Sequence, residues 1–213
     1  MLISDKHQFI FVHVFKNAGT SISRSLRPYS VTGWQSIANP IFKRVGIPQV
    51  GTRRFPTHVR ASQLIEALGR KKFDSYFSFA FVRNPWDWQV SQYKYILKRK
   101  RHPLHLRIKQ LGDFSEYLKW RCRRVRLQND FVSVDGEQVV DFVGRFENIE
   151  HDFQEICKRI GVNANLGVRN VTKSQPFQEY YDARSVELVK KTYRQDIELF
   201  GYQFDESPGR KIA

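Results

Sequence analysis

The stretch FIFVHVFKNAGTSI, residues 9–22, constrains the fold of this chain more than any other. Its apolar run predicts a buried β-strand, the FKNAG segment predicts a short turn, and a helix is predicted from Thr20 onward. A strand that leads through a glycine-containing turn into a helix binds phosphate or sulfate well, because the first N–H groups of a helix lack internal acceptors. The pattern therefore predicts an anion site, with a plain capped helix as the alternative.

The residue types at this turn suit an anion. Lys16 adds a positive charge, Gly19 permits close backbone approach, and Thr20 and Ser21 add hydroxyl donors. The stretch is not a Walker A loop, in which the lysine follows the second glycine, because here Lys16 precedes Gly19 by three positions.

The composition indicates a basic globular protein. The 213 residues, 41% of them hydrophobic, suit a single domain over 1–213. The formal net charge of +15 predicts an anionic partner, which could be a nucleotide, a polyanionic sugar, a nucleic acid or an acidic membrane.

The cysteines and the N-terminal stretch bear on the compartment. Cys122 and Cys157 lack zinc-ligand spacing and are expected to be free thiols in a reducing environment. The apolar run from Phe9 is too short for a signal peptide or a membrane span. A complete chain of this kind is predicted to be cytoplasmic, without a transmembrane segment.

A second strand-to-helix junction follows later in the chain. Residues 75–82 predict an aromatic-rich central strand, and Arg83 precedes a helix over 86–99 that carries Ser91. Further helices are predicted over 61–68, 114–120, 148–160 and 182–200, and a β-hairpin is predicted around the turn Asp135-Gly136.

This alternation predicts an α/β fold with a central, mostly parallel sheet flanked by helices. In such sheets ligands bind beyond the carboxyl ends of the strands. Lys16, His58 and Arg83 all fall at the predicted ends of strands, which makes them candidate site residues.

The segments HVFKNAGTSI and FVRNPWDWQVSQY resemble the two cofactor motifs of sulfotransferases that use 3′-phosphoadenosine 5′-phosphosulfate (PAPS). VGRFENIEHDF and the tail from NVTKSQ to DIELFGYQF are similar to the carbohydrate branch, the chondroitin and heparan type. That branch commonly has proline and glycine where this chain has Phe15 and Ala18. The resemblance implies a P-loop-like three-layer fold and transfer of a sulfuryl group from PAPS to a hydroxyl, without a metal.

The resemblance also implies roles for single residues. Lys16 would stabilise charge on the leaving 5′-phosphate, and Arg83 and Ser91 would bind the 3′-phosphate. The residues expected to hold the cofactor are Lys16, Asn17, Ala18, Gly19, Thr20, Ser21, Arg83, Ser91, Lys173 and Ser174.

The acceptor hydroxyl needs a general base. A neutral imidazole can take a proton near pH 7, so His58 is the candidate. Some relatives use glutamate, and Glu66 or Glu147 therefore remain alternatives.

Other functions stay open at this stage. A kinase-like phosphotransferase would need Mg²⁺ ligands, and no obvious carboxylate cluster supplies them. The basic runs 98–101 and 121–126 allow a nucleic-acid-binding module, but no zinc-finger or RNA-recognition motif supports specific binding of nucleic acid. The same runs indicate an anionic glycan as acceptor, but a small alcohol, a lipid-linked sugar or a tyrosine-bearing peptide remains possible. The sequence does not determine the oligomeric state.

Overall fold

The computed structural model describes residues 1–30, 44, 55–167 and 175–205. Within these residues the chain forms two compact units, and the strand β3 (Phe77–Val82) leads from one to the other. The first unit comprises residues 1–81 and 131–169, and the second comprises residues 82–130 and 170–213.

The centre of the first unit is a four-stranded sheet. Its strands are β1 (Leu2–Ser4), β2 (Phe9–Val12), β3 (Phe77–Val82) and β6 (Phe142–Arg145), in the spatial order β1-β2-β3-β6. β1 pairs with β2 antiparallel, whereas β2 and β3 are parallel, with Phe9 opposite Phe77 and Val12 opposite Ala80. A parallel pair needs a crossover connection, which is supplied by the helices between β2 and β3.

The central strands β2 and β3 are buried on both faces, as their nearly continuous apolar runs predict. On one face, Phe9, Phe11, Phe79 and Phe81 pack in one core cluster with Phe153. The rings of Phe11 and Phe79 are stacked with their centroids 5.2 Å apart. Ile10, Val12 and Ala80, whose side chains alternate to the other face, are also fully buried.

Helices complete the first unit. They are α1 (Gly19–Leu26), α2 (Ala61–Leu68), α3 (Arg70–Asp74), α7 (Asn129–Val132) and α8 (Ile149–Arg159). Ile22 and Leu26 of α1 and Ile156 of α8 are fully buried and join the core cluster of the sheet. α7 begins in the second unit and ends in the first.

The second unit is helical in its described part. It contains α4 (Pro85–Lys98), α5 (His105–Gln110), α6 (Phe114–Cys122), α9 (Ala183–Thr192) and α10 (Arg194–Phe200). Trp88, Tyr117 and Tyr193 are its largest fully buried side chains. Trp88 and Tyr193 meet edge to face, with 6.1 Å between the ring centroids.

The predicted hairpin and the last predicted helix differ from the structure. The hairpin is reduced to β4 (Ser133–Val134) and β5 (Glu137–Gln138) around Asp135-Gly136, because residues 129–132 are helical and β6 belongs to the central sheet. The predicted helix over 182–200 is interrupted at Tyr193, where φ is −107° and ψ is 23°.

The structure is a mixed α/β fold with a central, mostly parallel sheet flanked by helices, and this confirms the fold class predicted from the sequence. Both cysteines are free thiols, and Cys157 is buried with its Sγ 3.7 Å from the carbonyl oxygen of Ala164. Among the described helices, none is both long and apolar enough to cross a bilayer.

Candidate anion-binding turn and its neighbours

The turn between β2 and α1 has an unusual backbone. Lys16 has φ 67° and Ala18 has φ 58°, so two residues with side chains adopt the left-handed region within three positions. This conformation costs a residue such as alanine about 1–2 kcal/mol. Alternation of this kind directs successive N–H groups toward one side of a turn and forms a concave site for an anion.

The first N–H groups of α1 are available at this turn. Ala18 is the N-cap residue of α1, and its carbonyl oxygen accepts from the N–H groups of Ser21 and Ile22. The N–H groups of Gly19 and Thr20 have no acceptor among the described residues. Thr20 is exposed and Ser21 is half-buried, so their hydroxyls lie at the surface of the same turn. The predicted strand, turn and helix are therefore confirmed, with free donors where the anion is expected.

Gly19 is required by packing against His13. A Cβ atom built on Gly19 would lie 1.9 Å from Cδ2 and Nε2 of the His13 ring, which is an impossible contact. From the sequence, Gly19 is expected to permit the close approach of an anion. The structure adds that the protein itself fills the space beside this glycine.

Asn17 fastens the turn to the sheet. Its side-chain Nδ2 donates to the carbonyl oxygen of Phe81 at 2.8 Å, and the residue is 1% exposed. Because Phe81 lies near the end of β3, this hydrogen bond couples the turn after β2 to the neighbouring parallel strand. Asn17, predicted as a cofactor-binding residue, thus has an evident structural role in the turn.

His58 lies beside the turn. Its Nδ1 is 3.0 Å from the backbone oxygen of His13, and its ring meets the rings of His13 and Phe15 edge to face, at 4.6 and 5.9 Å between centroids. A carbonyl oxygen can only accept a hydrogen bond, so Nδ1 carries the proton and a neutral His58 keeps its lone pair on Nε2. The short strand expected just before His58 does not form, and a turn precedes α2 instead.

His13 is a buried neutral imidazole. Its ring is stacked on Phe11, at 5.6 Å between centroids, and its Nδ1 has no partner among the described residues. Burial lowers the pKa of His13 to about 3, because the charged form would lose its hydration. His13 is therefore a packed core histidine that touches the turn on one side and His58 on the other.

A second set of candidate residues belongs to the helical unit. Arg83 directly follows β3, and its Nε and Nη2 lie 2.7 Å from one carboxylate oxygen of Asp87 on α4. The two side chains are 14% and 18% exposed. Ser91 lies on the same helix, half-buried, between the buried residues Val90 and Gln92.

Gln128 holds the backbone of Arg83, a feature that sequence reasoning missed. The Gln128 Oε1 accepts from the Arg83 N–H at 2.9 Å, and its Nε2 donates to the Arg83 carbonyl oxygen at 2.7 Å. The fully buried carboxylate of Asp196 in turn accepts from the N–H groups of Gln128 and Asn129, at 2.8 and 2.9 Å. Gln128 lies 45 positions from Arg83, and Asp196 lies 68 and 67 positions from Gln128 and Asn129. A local sequence pattern cannot reveal contacts over such separations.

The remaining predicted residues are placed as follows. Lys173 and Ser174 lie outside the described residues. Glu66 is exposed on α2, and Glu147 is half-buried in the short 3₁₀ turn Phe146–Asn148 before α8. In the part of the chain that the structure describes, His, Cys, Asp and Glu form no group of three or more that could hold a metal ion.

An α/β sheet with a glycine-containing turn between a central strand and a helix defines a P-loop-like class of fold. Residues 1–203 match the model of the Sulfotransferase family, and the chain therefore belongs to that family.

Two relatives illustrate the likeness. A protein of Archaeoglobus fulgidus, itself named only as uncharacterized, is 34% identical over 105 residues, which are 48% of this chain and 82% of the archaeal protein. The crystal structure of mouse sulfotransferase SULT7A1 complexed with PAP superposes with a TM-score of 0.53 at 14% identity, over 92% of this chain and 86% of the mouse chain. The mouse structure shows that the fold is shared.

Proposed function

We propose that this chain transfers a sulfuryl group from PAPS to a hydroxyl of a carbohydrate, with His58 as general base. The observation that carries the proposal is the turn of residues 16–20 beside the oriented imidazole of His58. This turn presents a lysine and two N–H groups that have no acceptor among the described residues. Membership of the Sulfotransferase family supports the reaction class.

The turn would hold the 5′-phosphosulfate. The fit rests on the left-handed residues Lys16 and Ala18, the N–H groups of Gly19 and Thr20 and the hydroxyl of Ser21, which are donors suited to an anion. PAPS supplies an activated sulfuryl group when bound. The Lys16 ammonium would stabilise the negative charge that develops on the leaving 5′-phosphate.

His58 would accept the proton of the acceptor hydroxyl. Its Nδ1 is committed to the His13 carbonyl oxygen, so the proton would arrive at Nε2. The aromatic rings of His13 and Phe15 fix the imidazole on two sides. Orientation of this kind lowers the entropic cost of proton transfer. Glu66 is exposed on α2 and shows no contact with the turn among the described residues, which favours His58 over Glu66.

Arg83 and Ser91 would bind the 3′-phosphate, the group that distinguishes PAPS from ordinary adenine nucleotides. The guanidinium is a planar fork of donors suited to phosphate oxygens. Its present partner, Asp87, holds it on the first turn of α4, next to the carboxyl end of β3. Lys173 and Ser174 are proposed to contribute from the late loop.

A carbohydrate is the proposed acceptor because of the resemblance carried by VGRFENIEHDF and the C-terminal stretch. The excess of positive charge favours an anionic glycan among carbohydrates. The cytoplasmic compartment predicted from the N-terminal stretch belongs to the same proposal.

The proposal is tested by nucleotide affinity. PAP, the 3′-phosphoadenosine 5′-phosphate that remains when PAPS has lost its sulfuryl group, is the ligand to use. We expect Arg83→Ala to weaken PAP binding by about 100-fold in calorimetry, since a charge-assisted phosphate contact is worth about 1.5–3 kcal/mol. Binding of 5′-AMP, which lacks the 3′-phosphate, should change little.

Arg70→Ala is the matched control. Arg70 forms an equivalent ion pair with Asp74 four positions later, at 2.7 Å, but follows no strand. Equal losses of PAP and 5′-AMP affinity in Arg83→Ala would contradict the assignment of the 3′-phosphate site.

A further inference from the structure

A basic surface segment, residues 98–110, lies outside the proposed catalytic residues. Its sequence KRKRHPLHLRIKQ contains six Lys or Arg residues, two His residues and no Asp or Glu. All six of these cations are exposed and have no carboxylate partner among the described residues: Lys98, Arg99, Lys100, Arg101, Arg107 and Lys109. Such a concentration of unpaired charge is expected to attract an anionic surface or polymer.

The segment is held firmly on the helical unit. Ile108 of α5 is 1% exposed, and Nδ1 of His105 lies 3.1 Å from the carbonyl oxygen of Ile96 on α4. The Arg99 guanidinium stacks over the Tyr95 ring at 4.6 Å. The basic surface segment is therefore an ordered platform with a defined inner side.

The outer side combines charge with exposed apolar side chains. Leu106 is 71% exposed and Leu104 is 37% exposed, whereas Ile108 and half-buried His105 face the protein. On α5, Leu106 and Lys109 are separated by three positions and so share a face, with Arg107 beside them. Leu106 has the highest exposure of any large apolar side chain in the described part of the chain.

We propose that the basic surface segment docks this protein on an anionic lipid bilayer, with Leu104 and Leu106 inserted among the headgroups. Cations attract the negatively charged lipids, and apolar side chains on the same face enter the boundary between headgroups and acyl chains. The docking needs no membrane-spanning helix, and it does not depend on the sulfotransferase reaction.

Lipid fits these residues better than a soluble polyanion. A glycan or a nucleic acid would be attracted by the cations alone and would gain nothing from Leu106. Single-stranded nucleic acid binds by stacking its bases on exposed aromatic rings. The Tyr95 ring is instead covered by Arg99 and contacts His102 edge to face. The combination of exposed leucines with cations is what an interfacial segment requires.

Vesicle sedimentation tests the proposal with the full chain and no nucleotide. We expect binding to phosphatidylcholine vesicles that contain phosphatidylglycerol, loss of binding at high salt, and little binding to phosphatidylcholine alone. Leu106→Ser keeps every charge and should lower partitioning about tenfold, while the combined Arg107→Gln/Lys109→Gln variant should lower it by a similar factor.

Matched controls are available on the same unit. Leu199 on α10 is 46% exposed, and Lys190 and Lys191 are exposed on α9, so Leu199→Ser and Lys190→Gln/Lys191→Gln should leave vesicle binding unchanged. Retention on heparin with no vesicle binding, or full vesicle binding by Leu106→Ser, would overturn the proposal. Because nucleotide affinity is measured separately, failure here is distinct from failure of the proposed function.

Discussion

The His13 imidazole occupies the space that a side chain on Gly19 would need. The gap between the ring atoms and an ideal Cβ position is only 1.9 Å, and His13 is held in place by stacking on Phe11. The glycine of the turn is thus matched to a histidine that directly follows β2, six positions earlier.

This relationship predicts that Gly19→Ala displaces either the His13 ring or the turn. Overpacking of this kind costs about 1–3 kcal/mol of unfolding free energy, and we expect PAP affinity to fall at least about tenfold. The combined variant His13→Ala/Gly19→Ala should recover most of the lost affinity, because the obstructing ring is gone. Calorimetry with PAP and thermal unfolding of the single and combined variants measure both effects.

Gly167→Ala is the control for the glycine substitution, because nothing lies within 4 Å of the Cβ position there. It should be neutral in both measurements. If the combined variant binds PAP as poorly as Gly19→Ala alone, the glycine is required by the anion and not by His13.

The strand–turn–helix unit could be predicted because its signals are local. The apolar run of β2, the glycine at the turn and the periodicity of α1 all lie within residues 9–26. For the same reason, the bounds of α2 at Ala61–Leu68 agree with the prediction, since an apolar periodicity and a terminal glycine mark them.

The features that were missed depend on distant contacts. The sequence predicts the first strand of the hairpin from Phe131 onward, but residues 129–132 form a helical turn. The carboxylate of Asp196 accepts the N–H of Asn129 at the start of that turn. The last helix breaks at Tyr193, whose ring is fully buried against Trp88. Tertiary packing overrides local propensity at both places.

A second prediction concerns His58 as the general base, whose Nε2 would accept the proton because its Nδ1 contacts the His13 carbonyl oxygen. His58→Ala should lower kcat about 10²–10⁴-fold while PAP affinity is retained, because the imidazole would act on the acceptor and not on the nucleotide. His7 offers a matched control, since its Nδ1 also lies near a backbone oxygen, that of Ile160, at 3.2 Å. His7→Ala should keep normal turnover, and normal turnover in His58→Ala would assign the base to another residue.

Gln128 is predicted to position Arg83. Gln128→Ala removes both hydrogen bonds to the Arg83 backbone, so the orientation of the guanidinium should loosen. Given the proposed 3′-phosphate site, PAP affinity should fall about tenfold and 5′-AMP affinity should stay within about twofold.

A loss of protein stability alone would not weaken PAP binding more than 5′-AMP binding. Asp141→Ala serves as the comparison, because the Asp141 carboxylate accepts from the N–H and hydroxyl of Ser78 in the sheet, both at 2.7 Å. It should destabilise the protein while leaving the ratio of PAP to 5′-AMP affinity unchanged. A similar shift of that ratio in both variants would remove Gln128 from the site.

The pH dependence of stability gives a final prediction, centred on Asp196. Burial raises the pKa of its carboxyl to about 6 from an ordinary value of 3.8, although two backbone N–H groups oppose the shift. A carboxyl that binds its proton more tightly in the folded state adds stability below pH about 4, and this contribution is lost as pH rises through about 6. The difference of about two pKa units corresponds to about 3 kcal/mol.

Denaturant unfolding at about pH 4 and about pH 7 measures this contribution in wild type and in Asp196→Asn, which does not titrate. The stability of wild type relative to Asp196→Asn should decrease between the two pH values. Asp182 provides a control of opposite sign, because hydrogen bonds from Ser185 at the start of α9 lower its pKa. The stability of wild type relative to Asp182→Asn should therefore increase over the same interval. Parallel curves for wild type and Asp196→Asn would show that Asp196 titrates normally, with its two N–H donors balancing its burial.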